Sequence, residues 1–316
     1  MCMMISRRLR RNFKTNDMKK VMMVLAVCLM MTACEKAILP EGVDENEPSA
    51  SSDIPTKKFT FTVKGDFGSP VFQDGGTTRS VTYLTNESNQ MTDLWVFDFV
   101  VDECMQTIHQ TTSDETWGQP QMSLTLGTHH VYFVASRGVS PTVNVGAQSL
   151  TWASVRDTYW KDYEVTVVNT SNGNRAVTLD RVVAKLKVTI NDVIPTGAAT
   201  LTCTPATWYY GLKYRTGEPC EAVNNQAMSV SIPSSYIGTT GLAASFFTVS
   251  ESTEWTTDVT VAIKDGNGTT LGSADIPSVP MKGNRSAEYS GNLFSSGSLL
   301  TVSINGSWLT PHVGTW

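Results

Sequence analysis

From Phe59 onward, apolar and polar residues take turns at every second position over short runs, each closed by Gly, Asn, Asp or Pro. A period of two sends successive side chains to opposite faces, the pattern of a half-buried β-strand. It predicts strands at residues 59–63, 93–100, 105–109, 122–126, 129–135, 163–168 and 176–179. A second set follows at 182–190, 200–204, 228–232, 244–248, 259–264, 270–275, 286–293 and 300–304. Asn172-Gly173-Asn174, Asp265-Gly266-Asn267-Gly268 and Asn305-Gly306 supply the positive backbone angles of tight hairpin turns. One segment departs from the alternation. Residues 150–160 (LTWASVRDTYW) place Trp152, Val155 and Tyr159 on one helical face behind a Thr151 N-cap, which predicts a short helix packed on a sheet.

Roughly 260 residues in about fifteen strands are too many for one small sandwich, since domains cluster near 100–150 residues. An all-β fold of two tandem sandwiches fits better, an N-terminal one over residues 58–178 and a C-terminal one over 179–316. The second opens near RVVAKLKVTI (181–190), where Val182, Ala184, Leu186, Val188 and Ile190 share a face.

The front of the chain is different in kind. Lys19 and Lys20 precede residues 21–31 (VMMVLAVCLMM), an apolar run shorter than the ~20 residues that span a bilayer. It closes on Met31-Thr32-Ala33-Cys34, which resembles the lipobox of bacterial lipoproteins, where the cysteine is lipidated and the peptide before it removed. Residues 1–17 read as an upstream extension, 18–33 as the signal, and Cys34 as the lipidated first residue; the alternative is a plain cleavable signal with an incidental cysteine. Residues 34–57, rich in Glu, Asp, Pro and Ser, have too little apolar surface to pack and form a solvated tether. Removing the seven basic residues and one acid of residues 1–33 from totals of 24 and 29 leaves 17 and 28, a net charge near −11. So acidic a chain is a poor partner for nucleic acid.

Candidate chemistry is sparse. His129 and His130 are adjacent on a predicted strand and face opposite sides, so they cannot chelate one ion together. Asp265-Gly266-Asn267-Gly268 imitates the start of a calcium loop, but Ile276 stands where a bidentate Glu is needed. Neither a nucleophile elbow, a phosphate loop nor a paired zinc-ligand motif occurs, and no catalytic residue, cofactor or metal is expected. Cys203 and Cys220 are a candidate disulfide in an exported protein, with free buried thiols as the alternative. Trp152, Trp160, Trp208, Tyr209 and Tyr210 are either core aromatics or, if exposed, a platform for sugar rings.

Four blocks in order, the lipobox, TDLWVFD (92–98), HVYFVASRG (130–138) and RVVAKLKVTI (181–190), are together similar to the FimB-type fimbrial anchor proteins of Bacteroidetes, within the fimbrillin-like superfamily. The resemblance spans nearly the whole chain after Cys34. It implies two transthyretin-like Greek-key β-sandwiches without catalysis, anchored at the outer membrane through lipid and exposed at the cell surface. It implies a stalk subunit as partner, joined by a β-strand that one subunit lends to the sheet of the next. Unpaired N–H and C=O groups on an edge strand make such lending favourable, and apolar pockets make it specific. In stalk subunits of that family an Arg-specific protease removes the first strand, whereas anchors keep it. Here that strand carries Phe59, Phe61 and Val63 on one face, and Arg79, in a Gly-rich segment at 75–80, is the position open to cleavage. Leu300, Val302 and Ile304, then Trp308, Val313 and Trp316, are the candidate donor segment, with a terminal hairpin on its own domain as the alternative. The expected function is the lipid-anchored subunit that ends the polymer on the cell side. The alternatives are a surface glycan-binding lipoprotein and a stalk or tip fimbrillin released at Arg79.

Overall fold

The computed structural model describes residues 54–65, 82–83, 91–294, 301–304 and 312–313. The chain divides into the units Met1–Asp53 and Ile54–Trp316, and every described residue belongs to the second. Its first strands are β1 (Thr56–Gly65), β2 (Thr82–Tyr83), β3 (Asp93–Val100), β4 (Glu103–Thr111) and β5 (Gln121–Thr125). Next come β6 (Gly127–Ser136), β7 (Thr142–Asn144), β8 (Ser149–Thr151), β9 (Thr158–Val167) and β10 (Asn174–Arg181). The later part holds β11 (Val183–Ile190), β12 (Ala198–Pro205), β13 (Trp208–Lys213), β14 (Pro219–Val223) and β15 (Met228–Ser231). After a 3-10 turn at Ser234–Tyr236 follow β16 (Leu242–Val249), β17 (Trp255–Asp265), β18 (Thr270–Met281), β19 (Ser286–Gly291), β20 (Thr301–Ile304) and β21 (His312–Val313).

The fold is all-β and built of packed sheets. The first sheet runs β2-β1-β10-β9-β6-β3-β4, with β5 also on β1. β10 lies parallel to β1 from Asn174 to Leu179, then pairs through Asp180 and Arg181 with Trp160 and Tyr159 of β9. It therefore turns the corner of the sheet and folds β1 and β5 over β3, β6 and β9. Between these layers lie Phe59, Phe61, Val63, Leu94, Val96, Met122, Leu124, Val131, Phe133, Val165 and Val177. A second sandwich sets β16-β11-β19-β20-β21 against β15-β12-β17-β18 around Leu186, Val188, Ile190, Leu201, Val261, Ile263, Val279 and Tyr289.

The halves are tied by a sheet they share. In β14-β13-β8-β7, Gly211 and Leu212 of β13 pair with Thr151 and Leu150 of β8. This sheet covers the outer face of β3 and β6, where Phe97, Phe99, Tyr132 and Val134 meet Leu150, Trp152, Val155, Leu212, Tyr214 and Val249. At the crossing from β10 to β11, Arg181 makes a buried two-pronged pair with Asp157 (Nε–Oδ1 2.7 Å, Nη2–Oδ2 3.0 Å), and its Nη1 donates to Asn284 Oδ1 at 3.4 Å. Trp160 seals the same junction, donating Nε1–H to Tyr214 O at 2.7 Å beneath Gly217, whose φ of 77° and closeness to the indole leave no room for a Cβ.

One expectation needs correction. The predicted helix at 150–160 does not form: β8 ends at Thr151, β9 begins at Thr158, and the residues between are bends and irregular chain. Trp152 and Val155 are buried under the shared sheet and Tyr159 in the first sandwich, so the helix-like spacing comes from an irregular strap serving two cores. The boundary after residue 178 falls inside β10, and the chain crosses from the first sandwich to the second at Val182.

Candidate functional site

β1, the first described strand, takes in Thr56 and Lys57, which the sequence pattern assigns to the tether. Its alternation buries Phe59, Phe61 and Val63 and leaves Thr60, Thr62 and Lys64 half-buried. Phe61 meets Phe133 edge-on at 5.3 Å and Tyr163 at 5.9 Å between ring centroids. One edge of β1 pairs with β10. Along the other, β5 pairs with its first half, and the Phe61 and Val63 N–H groups donate to Pro120 O and Gly118 O, both at 3.0 Å. Gly173 lies so close to Lys58 O that a Cβ there would collide with it. β1 is thus an interior strand bonded on both edges.

At the other terminus, β20 pairs with β19, with Val302 opposite Tyr289, and β21 pairs with β20, with Val313 opposite Ser303. Of the candidate donor residues, Val302, Ile304 and Val313 therefore lie in strands of the chain's own sheet, which ends on β21. Leu300, Trp308 and Trp316 lie outside the described residues, as do Cys34 and Arg79.

Each histidine whose side chain is described faces a carboxylate. His109 Nε2 lies 3.0 Å from Asp93 Oδ1, and His130 Nδ1 lies 3.0 Å from Asp162 Oδ1. His129 Nδ1 lies 2.8 Å from Asp98 Oδ1 with both groups buried, and its Nε2 is 3.2 Å from Thr125 Oγ1. That hydroxyl, imidazole and carboxylate repeat the order of a nucleophilic triad. The same Nε2 also lies 3.1 Å from Thr125 O, so the imidazole edge is shared between the hydroxyl and the backbone carbonyl of one residue. Burial holds the Asp98 carboxyl above its ordinary range against the opposing pull of His129. The Asp93 group is ordered differently: Thr92, His109 and Ser140 all bond the carboxylate, so no imidazole stands between it and the serine.

The candidate disulfide is not formed; Cys203 and Cys220 are both free. Cys203 is buried on β12 in the second core, while Cys220 lies on β14 against Gly211 of the shared sheet. The five candidate sugar-stacking aromatics are buried or half-buried. Trp152, Trp160 and Trp208 spend their indole N–H groups on Ser136 Oγ, Tyr214 O and Phe247 O, as core aromatics do. Asp265 Oδ1 accepts from the N–H groups of Asn267 and Thr269, so the calcium-like segment is a hydrogen-bonded turn. Among the described residues no three His, Cys, Asp or Glu side chains cluster to hold a metal, and no helix is long and apolar enough to cross a membrane.

Two features escaped sequence reasoning: the shared sheet, whose short strands lack enough alternation to register, and a polar cavity between the 153–156 strap, β15 and β16.

No protein-family model matches the chain, and no curated protein matches it. Among solved structures, it is similar to the tip fimbrial protein Mfa3 from Porphyromonas gingivalis with C-terminal truncation (TM-score 0.42, 14% identity, 79% of this chain and 99% of that one). It is also similar to a fimbrial assembly protein from Parabacteroides distasonis (TM-score 0.43, 13% identity, 82% and 99%). A third is a candidate adhesin from Bacteroides ovatus (TM-score 0.46, 14% identity, 84% and 96%). At these identities and TM-scores, the likenesses assign no family to this chain.

Proposed function

We propose that the chain is a non-catalytic structural subunit of a surface fimbria, held at the outer membrane by lipid on Cys34 and joined to a stalk subunit by strand complementation. The observation that carries this reading is the seating of β1. The strand nearest the tether is an interior strand with three apolar side chains in the core. A pull along β1 loads its hydrogen bonds to β10 and β5 together in shear, and also has to drag Phe59, Phe61 and Val63 out of the core, each worth ~1.5–3 kcal/mol of burial. This is the mechanical connection an anchor needs between lipid and fold. Because β1 fills its own groove, no neighbour's strand can enter there, and the polymer ends at this subunit. Cleavage at Arg79 would separate β1 from the rest of the chain and suit a stalk or tip subunit instead.

Replacing Cys34 by Ala in the producing bacterium tests the anchor role. The expected result is assembled fimbriae shed into the medium; fimbriae that stay on the cells as in the unmodified strain would refute it.

A further inference from the structure

A cavity of about 230 Å³ opens where the irregular strap 153–156 passes the start of β15 and the middle of β16. Ser154, Arg156, Tyr210, Gln226, Ser229 and Ser245 contribute polar side chains to its wall, and none of these six side chains has a hydrogen-bond or ion-pair partner among the described residues. Ser154, Arg156, Gln226 and Ser229 are exposed and Tyr210 and Ser245 half-buried, whereas the buried polar groups Asp93, Asp98 and Arg181 are paired within the fold. No carboxylate lines the cavity, so its one charge is the Arg156 guanidinium.

The wall is also held in place. Trp152 and Val155 are buried, the Trp152 N–H donates to Tyr210 O at 2.9 Å, and Asp157 is fixed by Arg181, so the strap must turn Ser154 and Arg156 outward. Opposite, the Asn225 N–H is bound by Pro205 O and Ala206 O while its φ is 52°, which sets the backbone just before Gln226. The backbone beneath these groups is thus set before a ligand arrives, while the exposed Arg156 and Gln226 side chains are ordered on binding.

We propose that this cavity binds a carboxylated sugar unit of an acidic oligosaccharide. A planar guanidinium matches a carboxylate two-prongedly, and unpaired serine and tyrosine hydroxyls and an amide match ring hydroxyls. Size decides against the main competitor, an extended peptide. A sheet-completing strand of five or six residues needs about 17–20 Å of groove, whereas this volume falls below the ~300 Å³ of drug-sized sites and suits one ring with its neighbours outside. The site differs from an exposed aromatic platform, and it stands whether or not the chain is a fimbrial anchor.

The test is titration calorimetry of the full chain with trigalacturonate, 3′-sialyllactose and neutral lactose. Binding of at least one acidic probe is expected, roughly tenfold or more tighter than lactose, and Arg156→Gln should remove that difference. Gln226→Leu should weaken the acidic probe several-fold without moving the melting temperature, since its side chain is exposed. Failure of both acidic probes, binding indifferent to Arg156→Gln, or capture of an alternating apolar peptide in their place would overturn the proposal.

Discussion

Phe61→Ala addresses the seating of β1 directly. Phe61 has no exposed surface, and its ring packs edge-on against Phe133 and Tyr163. Truncating a fully buried Phe costs about 3–5 kcal/mol, from lost transfer free energy plus the cavity left behind. A domain's total is about 5–15 kcal/mol, so this is a large share. With a denaturant slope of about 4 kcal/mol per molar guanidinium, a loss of about 4 kcal/mol lowers the unfolding midpoint by about 1 M. Lys58→Ala, on the same strand but with an exposed side chain, should shift stability by no more than about 0.5 kcal/mol. The assay is equilibrium unfolding followed by tryptophan fluorescence. A Phe61→Ala midpoint within about 0.2 M of the parent at unchanged slope would refute the placement of β1 in the core and, with it, the mechanical argument.

At the junction of the two sandwiches, Arg181→Met leaves the Asp157 carboxylate buried without its cation, with only the Tyr159 hydroxyl still donating to it, and should cost about 3–5 kcal/mol in the same unfolding assay; a change below about 1 kcal/mol would contradict the buried pair. Gly173→Ala drives a Cβ into Lys58 O and should lower the melting temperature by several degrees, so an unchanged value would mean that β1 and the β9–β10 turn are not in contact. The raised pKa of Asp98 has a pH signature. The folded state binds that proton more tightly than the unfolded state, so its stabilisation is present below the ordinary value of 3.8 and is lost as pH rises through the folded value. Asp98→Asn should flatten this fall across unfolding midpoints measured from just below pH 3.8 upward; an identical profile would show that Asp98 does not titrate as described. For the thiols, Cys104 is exposed, whereas burial pushes Cys203 up to about 12. Alkylation at neutral pH should mark Cys104 first and Cys203 only on unfolding, and a Cys203–Cys220 bridge in the unreduced protein would contradict the fold around β12 and β14.

The strands with strict alternation could be read from the sequence because one physical rule governs them. In β11, Ala184, Leu186, Val188 and Ile190 point into the second core as their spacing predicts, and β3 occupies its expected residues 93–100. The rule fails where a segment serves two cores. Trp152 and Tyr159 are seven residues apart, which suits one helical face, yet they pack in different places. The β8–β13 pairing joins residues about sixty apart through strands of three and six residues, too short for a period to emerge. At the candidate sites, the burial of Phe59, Phe61 and Val63 follows from alternation alone, but the second bonded edge of β1 depends on residues 118–125, which no local pattern reveals. The polar cavity was invisible for a related reason: Ser154, Arg156, Gln226 and Ser245 are ordinary surface residues until the fold brings three separate segments together.

The central claim is that lipid on Cys34 remains covalently continuous with the strand holding Phe59, Phe61 and Val63. Mass spectrometry of the protein isolated from cell envelopes measures this most directly. The account predicts a chain that begins at an acylated Cys34 and continues unbroken through Arg79; a mature chain that begins at Ser80 would contradict it.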